Sequence, residues 1–290
     1  MATYNALSAL PEGTPGPWGD PVVITYDKRD VLLYAVGIGL TDLQYTYEGH
    51  PDYSVFPTFP IRWGSRGAPI NEIYIPRSPL PLMIDAERYL TVEKPLPIEG
   101  TVSIKSRVIG IHPRSKGSGF IECESVVTDS EGEVCVRMAN GSFRRGVEKL
   151  GDIEPFHGSG ETYSAKITLP GTPPDYVVST DISSSQAQIY RLSGDYNALH
   201  IDPEAARFGG FKEPILHGLC TFGHCADLLL KTICGARSER FKTIKVRFSA
   251  PVYPGDRLTL SAWKDGRNKV LFDVKVGDTV VISNAYFEFH

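Results

Sequence analysis

The strongest constraint on the fold is a repeat: three pairs of similar segments occur in the same order in the two halves of the 290-residue chain. Two of the pairs share an anchor residue, a tyrosine at positions 34 and 190 and a proline at positions 95 and 251, and both intervals are 156 residues. The pairs are ITYDKRDVLLYAV (24–36) with TDISSSQAQIYRL (180–192), KPLPIEGTVSI (94–104) with APVYPGDRLTL (250–260), and GEVCVRMANGSF (132–143) with GDTVVISNAYFEF (277–289). Two anchors at one offset predict two copies of one fold.

Each copy is predicted to contain a short helix, over 24–36 or 180–192, followed by a Pro-rich stretch and several strands. Residues 218–233 give the strongest helix signal, and because they are almost wholly apolar we expect that helix to be buried on all sides. The pattern predicts an α+β fold in which an antiparallel sheet wraps around a buried helix, twice. We expect a first repeat over 1–150, a Gly- and Ser-rich linker over 151–164, and a second repeat over 165–290.

Composition argues against several classes of protein. The net charge of −4, from 30 basic and 34 acidic residues, shows no basic excess for a nucleic-acid partner. No stretch reaches the ~18 consecutive apolar residues of a membrane span. The five cysteines form no CxxC, which argues against a disulfide framework or zinc site and favours a reducing compartment. The N-terminus does not resemble a signal peptide and the C-terminus is not an SKL-type peroxisomal signal, so the expected location is cytoplasmic.

A dense polar cluster follows the short helix of the second repeat, in YRLSGDYNALHIDP (190–203). Asp195, Asn197 and His200 are predicted to share one short loop, because Gly194 ends the helix before them. A carboxylate and an imidazole five positions apart can hold one water and move its two protons in different directions, which is general acid–base chemistry. Asn197 can fix the water or a substrate oxygen.

A turn or capping role is the alternative for the same residues, since Asp and Asn favour turns, and spacing alone leaves both interpretations open. Asp202, which precedes Pro203, is itself predicted to be a helix cap rather than a catalyst. The repeat favours catalysis for the acid–base pair. The positions 156 residues earlier than the pair are Gly39 and Gln44, so the first copy lacks it, whereas a turn that supports the fold is expected in both copies.

The motif PILHG (214–218) leads into the apolar helix. Free N–H groups at a helix start carry partial positive charge and can stabilise the negative charge that develops on a thioester carbonyl. Gly218 would allow close approach of such a group, or would simply let the helix pack tightly. Cys220, His224 and Cys225 fit a buried helix better than a metal site, so no metal is predicted.

Two charged residues are further candidates for substrate contacts. Arg247 alternates with Lys245 on a predicted strand, where these side chains bind phosphate or face solvent. Glu48 stands in a Tyr-Glu-Gly motif of the first repeat and is most simply a solvated loop residue. No GxGxxG follows a strand and there is no P-loop, so a nucleotide-binding fold is not predicted.

The order of these motifs resembles that of the MaoC-like proteins. Segment 190–203 resembles the hydratase signature of that family, and the motifs that follow are similar to the hydratase part of eukaryotic peroxisomal multifunctional enzymes. The other matching segments are 214–223, 246–255 and 282–286 in the second repeat, and 34–39, 45–49, 57–60 and 87–97 in the first. The resemblance covers about residues 20–290 and points to a type-2, (R)-specific enoyl-CoA hydratase.

This resemblance implies a double hot-dog fold, with each sheet around a long helix, and a hydro-lyase that converts trans-2-enoyl-CoA reversibly to (3R)-3-hydroxyacyl-CoA. Asp195 and His200 would share the catalytic water, Asn197 would support them, and the Gly218 N–H would polarise the thioester carbonyl. The first repeat would accommodate the acyl chain. The resemblance implies no metal or redox cofactor, and CoA is part of the substrate. A homodimer is expected.

The sequence departs from the family pattern at two places. Ala198 replaces the usual Pro after the motif Asn, which loosens the loop without removing a reacting group. NGSFRRG (140–146) stands where the family is usually apolar and Gly-rich, and its two arginines point to an unusual substrate or an altered partner surface. A dehydratase for a polyketide-like or carrier-bound intermediate is therefore an alternative. A non-catalytic acyl-binding protein is another, against which the intact acid–base set argues.

Overall fold

In a computed structural model of the protein, one antiparallel sheet runs through both repeats. The structure describes residues 13–64, 66, 78–114, 117–146, 155–158 and 163–290. The strands are β1 (Val22–Tyr26), β2 (Met83–Val92), β3 (Gly100–Arg114), β4 (Ser118–Thr128), β5 (Val134–Arg144), β6 (Phe156–His157), β7 (Tyr176–Asp181), β8 (Phe241–Phe248), β9 (Arg257–Lys264), β10 (Lys269–Val276) and β11 (Thr279–Phe289).

The strand order confirms the predicted repeat. Ten strands follow the path β1-β3-β4-β5-β2-β8-β11-β10-β9-β7, and the two halves of this path are mirror copies that meet at β2 and β8. These two central strands pair antiparallel from Glu87 opposite Arg247 to Thr91 opposite Thr243. Matching elements of the two repeats therefore lie at matching distances from a central pseudo-twofold axis, as two hot-dog units require.

The helices begin and end where local chemistry dictates. The helix α1 (Lys28–Gly37) starts with a reciprocal capping box between Asp27 and Asp30. The carboxylate of Asp202 caps the helix α4 (Pro203–Gly209) by accepting from the Glu204 N–H, which confirms its predicted structural role. The helices are α1 (Lys28–Gly37), α2 (Leu43–Thr46), α3 (Gln186–Tyr190), α4 (Pro203–Gly209) and α5 (Gly218–Cys234).

The two repeats differ in their helices. The 17-residue α5 is buried along its first half, but it is not buried on all sides as predicted: Lys231 near its end is exposed and pairs with Asp42 and Asp227. In the first repeat, the longest helix among the described residues is the ten-residue α1. Among the residues that the structure describes, the long central helix expected in both units is thus found only in the second. The segments 24–36 and 180–192 also each contain the end of a strand before their helix, rather than a helix alone.

The described parts of the chain share one main apolar core, which includes α5 and residues of both repeats. All five cysteines are buried free thiols, in agreement with the prediction of no disulfide framework. The predicted linker, 151–164, lies largely outside the described residues, although its residues 156–157 form β6 beside β3. The linker and domain boundaries stay predictions. None of the helices in the described regions is both long and apolar enough to cross a membrane.

Candidate functional site

The predicted acid–base loop lies between α3 and α4. Gly194 adopts a left-handed backbone conformation, with φ of 113°, and ends the preceding 3-10 turn. The Asp195 carboxylate accepts a hydrogen bond from the Asn197 N–H at 3.2 Å, and the Asn197 side chain accepts from the Leu199 N–H at 3.1 Å. Asn197 thus caps the turn that carries His200. The turn and the acid–base interpretations therefore describe the same loop, which holds its side chains by local hydrogen bonds.

His200 is oriented by a carbonyl on the segment that leads into α5. Its Nδ1 donates to the Ile215 carbonyl oxygen at 2.9 Å, since a carbonyl can only accept. Burial lowers the pKa of His200, opposed by the nearby Asp195 carboxylate, so the neutral imidazole is favoured. With its proton on Nδ1, the neutral ring has an unprotonated Nε2 that can accept a proton.

His217, the residue before α5, stacks on His200 with ring centroids 3.7 Å apart. Its Nε2 donates to the Asp195 backbone oxygen at 3.3 Å, so it braces the loop as well as the ring. Burial, with a smaller effect of His200, lowers the pKa of His217 to about 2, and the residue stays neutral. The sequence motif PILHG contained this histidine, but no sequence pattern linked it to the loop.

Gly218 is the first residue of α5 and lines the same cavity as the acid–base pair. A Cβ placed there would lie 3.3 Å from the Phe248 ring, so a side chain would compete for space with that ring and the cavity. As the first helical residue, its N–H has no helical carbonyl to bind. It is thus placed to donate to a ligand.

The cavity of about 700 Å³ lies where the two repeats meet. The second repeat supplies the acid–base loop and a largely apolar wall that includes Leu199, Ile215, Leu216, Leu219, Phe248 and Val252. The first repeat supplies the apolar residues Leu80, Met83 and Ile84 together with polar side chains on β2 and β5, namely Asp85, Arg88, Asn140, Ser142 and Arg144. None of these five polar residues was predicted individually as a site residue.

The structure does not bring the two further candidates into this site. Arg247 lies on β8, where its guanidinium pairs with the Glu87 carboxylate at 2.5 Å and does not line the cavity. Glu48 lies exposed in the turn after α2, also away from the cavity lining. Neither residue lines this cavity, and the predicted substrate contacts of Arg247 and Glu48 stay predictions.

The side chains of Asp195, His200 and His217 place one nitrogen or oxygen atom each within 4.8 Å of one another. Such a group can be considered for a metal ion. Metal ligands must direct their lone pairs to a common point, however, and the lone pairs of histidine lie in the ring planes. The His200 and His217 rings are stacked at 27°, so their in-plane lone pairs run side by side rather than converge. The arrangement suits a water between Asp195 and His200 better than an ion.

Family models match both repeats. Residues 165–286 match the MaoC like domain, and residues 24–146 match the MFE-2 hydratase 2 N-terminal domain. The probable enoyl-CoA hydratase 2 of Dictyostelium discoideum is 32% identical, over 88% of this chain and 87% of its own length. The chain belongs to the MaoC-like family. The resemblance seen in its motifs is therefore confirmed.

Two further relatives extend this similarity. The peroxisomal multifunctional enzyme type 2 of Mus musculus is 37% identical over 99% of this chain, but this chain spans only 40% of that enzyme. The crystal structure of the MaoC-like dehydratase from Phytophthora capsici is 36% identical, with a TM-score of 0.81 and 96% of each chain covered. These comparisons confirm the double hot-dog architecture of this MaoC-like chain.

Proposed function

We propose that this protein catalyses the reversible hydration of a trans-2-enoyl thioester to a (3R)-3-hydroxyacyl thioester. The observation that carries the proposal is the Asp195–His200 pair. A carboxylate oxygen of Asp195 lies within 4.8 Å of a ring nitrogen of His200, in the cavity that Gly218 also lines. A water can donate its two hydrogens to two acceptors, each about 2.8 Å from its oxygen. The two acceptors then lie roughly 4.5 Å apart. The pair therefore has the spacing for one shared water.

In the hydration direction, the neutral His200 accepts a proton at Nε2 while the water oxygen bonds to C3 of the enoyl group. Asp195 accepts a hydrogen bond from the other hydrogen of the water, and its negative charge stabilises the imidazolium that forms on His200. The C2–C3 π electrons move toward the thioester oxygen, where the Gly218 N–H stabilises the enolate charge. His200 then returns its proton to C2. The elements of water balance the reaction, and the pair ends in its starting protonation state.

The names of the relatives support this reaction class. The Dictyostelium relative is called an enoyl-CoA hydratase 2 and the murine relative a multifunctional enzyme type 2, which supports enoyl-CoA as the substrate class. The (3R) configuration and the homodimer rest on the family resemblance alone. The enzyme is expected to need no metal or redox cofactor, because the thioester itself acidifies the proton at C2.

One observation favours a second candidate, a dehydratase for a polyketide-like or carrier-bound intermediate. The wall from the first repeat carries charged side chains beside its apolar ones, whereas a plain fatty acyl chain offers no partner for a charged group. A non-catalytic acyl-binding role is less well supported, since binding alone does not need the Asp195–His200 pair.

The proposal is tested by following the absorbance of the enoyl-thioester band with purified protein. Short and long trans-2-enoyl-CoA substrates should both be tried, each beside the same acyl group on a carrier protein. Loss of the band with a (3R)-hydroxy product is expected. An unchanged band with every thioester, from a folded sample, would contradict the proposal.

A further inference from the structure

The charged wall of the cavity contains two arginines in very different settings. Arg88 on β2 donates from Nε to both carboxylate oxygens of Asp85, at 2.9 Å each, and a second nitrogen also contacts that carboxylate. Asp85 thus neutralises Arg88 within the protein. The pair leaves the wall with no net charge at this point.

Arg144, at the end of β5, has no such partner in the part of the chain that the structure describes. Its residue surface is only 4% exposed, and it lines the cavity. Its Nε is fully enclosed and makes no hydrogen bond. The next residue, Arg145, also has an enclosed Nε without a hydrogen bond, but its guanidinium donates to the Gly209 carbonyl oxygen at 2.7 Å and does not line the cavity. An enclosed guanidinium without a counter-charge is costly and is rarely kept unless something binds it.

The surroundings of Arg144 belong to the first repeat. The positive charges of Arg144 and Arg88 both act on the buried thiol of Cys123 and oppose the rise of its pKa that burial causes. Cys123 is opposite Asn140 in the sheet, several residues along β5 from Arg144. Arg144 therefore lines the cavity from the first repeat, and the catalytic pair lines it from the second.

We infer that Arg144 binds an anionic group carried by the acyl part of the substrate, most simply a carboxylate. The inference rests on the proposed function and specifies its substrate class: an enoyl thioester with an acidic group beyond the double bond, rather than a plain fatty acyl chain. A carboxylate matches the planar fork of a guanidinium and supplies the counter-charge that the described residues lack. Asn140 and Ser142 lie on the same wall of the cavity.

A phosphate of CoA is another anion that could reach this guanidinium. The two sources predict different specificities. If Arg144 binds the acyl carboxylate, its removal weakens only carboxylated substrates. If it binds CoA, its removal weakens every CoA substrate equally.

The test compares Arg144→Met with the wild type on matched pairs of trans-2-enoyl-CoA substrates from six to twelve carbons. Each pair has the same chain with a methyl or a carboxylate at its end. We expect the wild type to prefer the carboxylate in kcat/KM at one or more lengths. Arg144→Met should lose that preference at least tenfold and turn over the methyl-ended substrate as well as or better than the wild type. Arg144→Lys, which keeps the charge without the fork, should fall between them.

The matched control is Arg137→Met, on the same strand but exposed and paired with Glu93 at the surface. It should leave the preference unchanged. Absence of a carboxylate preference at all lengths would overturn the inference, as would an equal loss for both substrates of each pair in Arg144→Met. Thermal melting confirms that each variant is folded.

A binding measurement separates failure of this inference from failure of the proposed reaction. Saturated ω-carboxyacyl-CoA has no double bond and cannot be hydrated. Calorimetry should show that it binds the wild type at least tenfold more tightly than Arg144→Met. This result can be obtained even if no enoyl thioester is turned over, in which case the reaction is wrong and the anion site stands. Equal affinity for the two proteins would overturn the anion site.

Discussion

The two repeats are joined by a buried ion pair whose loss should destabilise the whole fold. Glu87 on β2 is 4% exposed and faces Lys245 on β8, which is 1% exposed, with Nζ 3.9 Å from its carboxylate. Lys245 also donates to the Asn284 carbonyl oxygen at 2.7 Å. Arg247 shares the carboxylate but is 40% exposed, so solvent screens its contribution. Lys245 therefore depends most on Glu87.

The substitution Glu87→Gln keeps the shape and removes the charge. Breaking a buried pair at one partner costs about 3–5 kcal/mol. We expect a smaller loss, about 1–2 kcal/mol at pH 7, because the bond to Asn284 remains and a lysine with a pKa of about 8 releases its proton there for about 1.4 kcal/mol. Lys245→Met should cost less, since Glu87 keeps Arg247. In the double variant the two effects should differ from additivity by at least 1 kcal/mol.

The pH dependence gives an independent check. Burial lowers the pKa of Lys245 from 10.5 to about 8, so the folded protein releases this proton more easily than the unfolded chain. Stability relative to Lys245→Met should therefore rise as pH increases from about 8 to 10.5, by about 3 kcal/mol in total. Urea unfolding of both proteins at several pH values measures this difference. A loss below 1 kcal/mol for Glu87→Gln, additive single variants, or a flat difference across this pH range would refute the reasoning.

Three further predictions concern the site. Gly218→Ala should lower kcat at least tenfold while the unfolding midpoint changes little, because the added methyl would lie 3.3 Å from Phe248 beside the reacting carbonyl. Steady-state kinetics measures kcat and thermal melting measures the midpoint. An unchanged kcat would contradict the role of the Gly218 N–H. His217→Phe should keep the ring stack on His200 but lose the 3.3 Å hydrogen bond to the Asp195 backbone oxygen, so kcat should fall. The free energy of unfolding should change by less than about 1 kcal/mol, because the substitution also removes the enclosed Nδ1 that has no hydrogen bond. Full activity would contradict the role of His217 in holding the loop. Because burial lowers the pKa of His200, kcat/KM should fall on the acidic side only below pH 6.5, as measured in a pH–rate profile; a fall centred above 6.5 would contradict a buried neutral base.

Much of the fold followed from the sequence because the repeat fixed it. Segments at one offset occupy mirror positions in one sheet, and α5 was visible as an apolar run. The acid–base loop could equally be predicted from the sequence, because Asp195, Asn197 and His200 are neighbours in sequence and the loop is held by hydrogen bonds to its own backbone. The difference in helix length between the two repeats could not be predicted, because the expectation of a long helix in the first repeat came from the family's general pattern.

The remaining site residues depend on contacts that no local pattern encodes. His217 reaches His200 only because the chain returns after α4. On β2, an irregularity in the pairing with β5 between Asp85 and Glu87 breaks the strict alternation of side chains, so Asp85 and Arg88 both line the cavity. Regular alternation would have placed them on opposite faces. Arg247 illustrates the same limit: the sequence suggested it as a phosphate ligand, whereas in the fold its guanidinium pairs with the Glu87 carboxylate.

The central claim is that Asp195 and His200 act together on a water in the cavity, and one pair of variants tests it most directly. Asp195→Asn removes the charge at the loop, and Asp202→Asn makes the same change in the same motif at an exposed cap where Asn also serves. The rate of loss of enoyl-thioester absorbance should fall at least 100-fold in Asp195→Asn, within the range expected for general acid–base catalysis of about 10²–10⁴. Asp202→Asn should stay close to the wild-type rate. An Asp195→Asn protein that is folded and retains more than a tenth of wild-type activity would contradict the account.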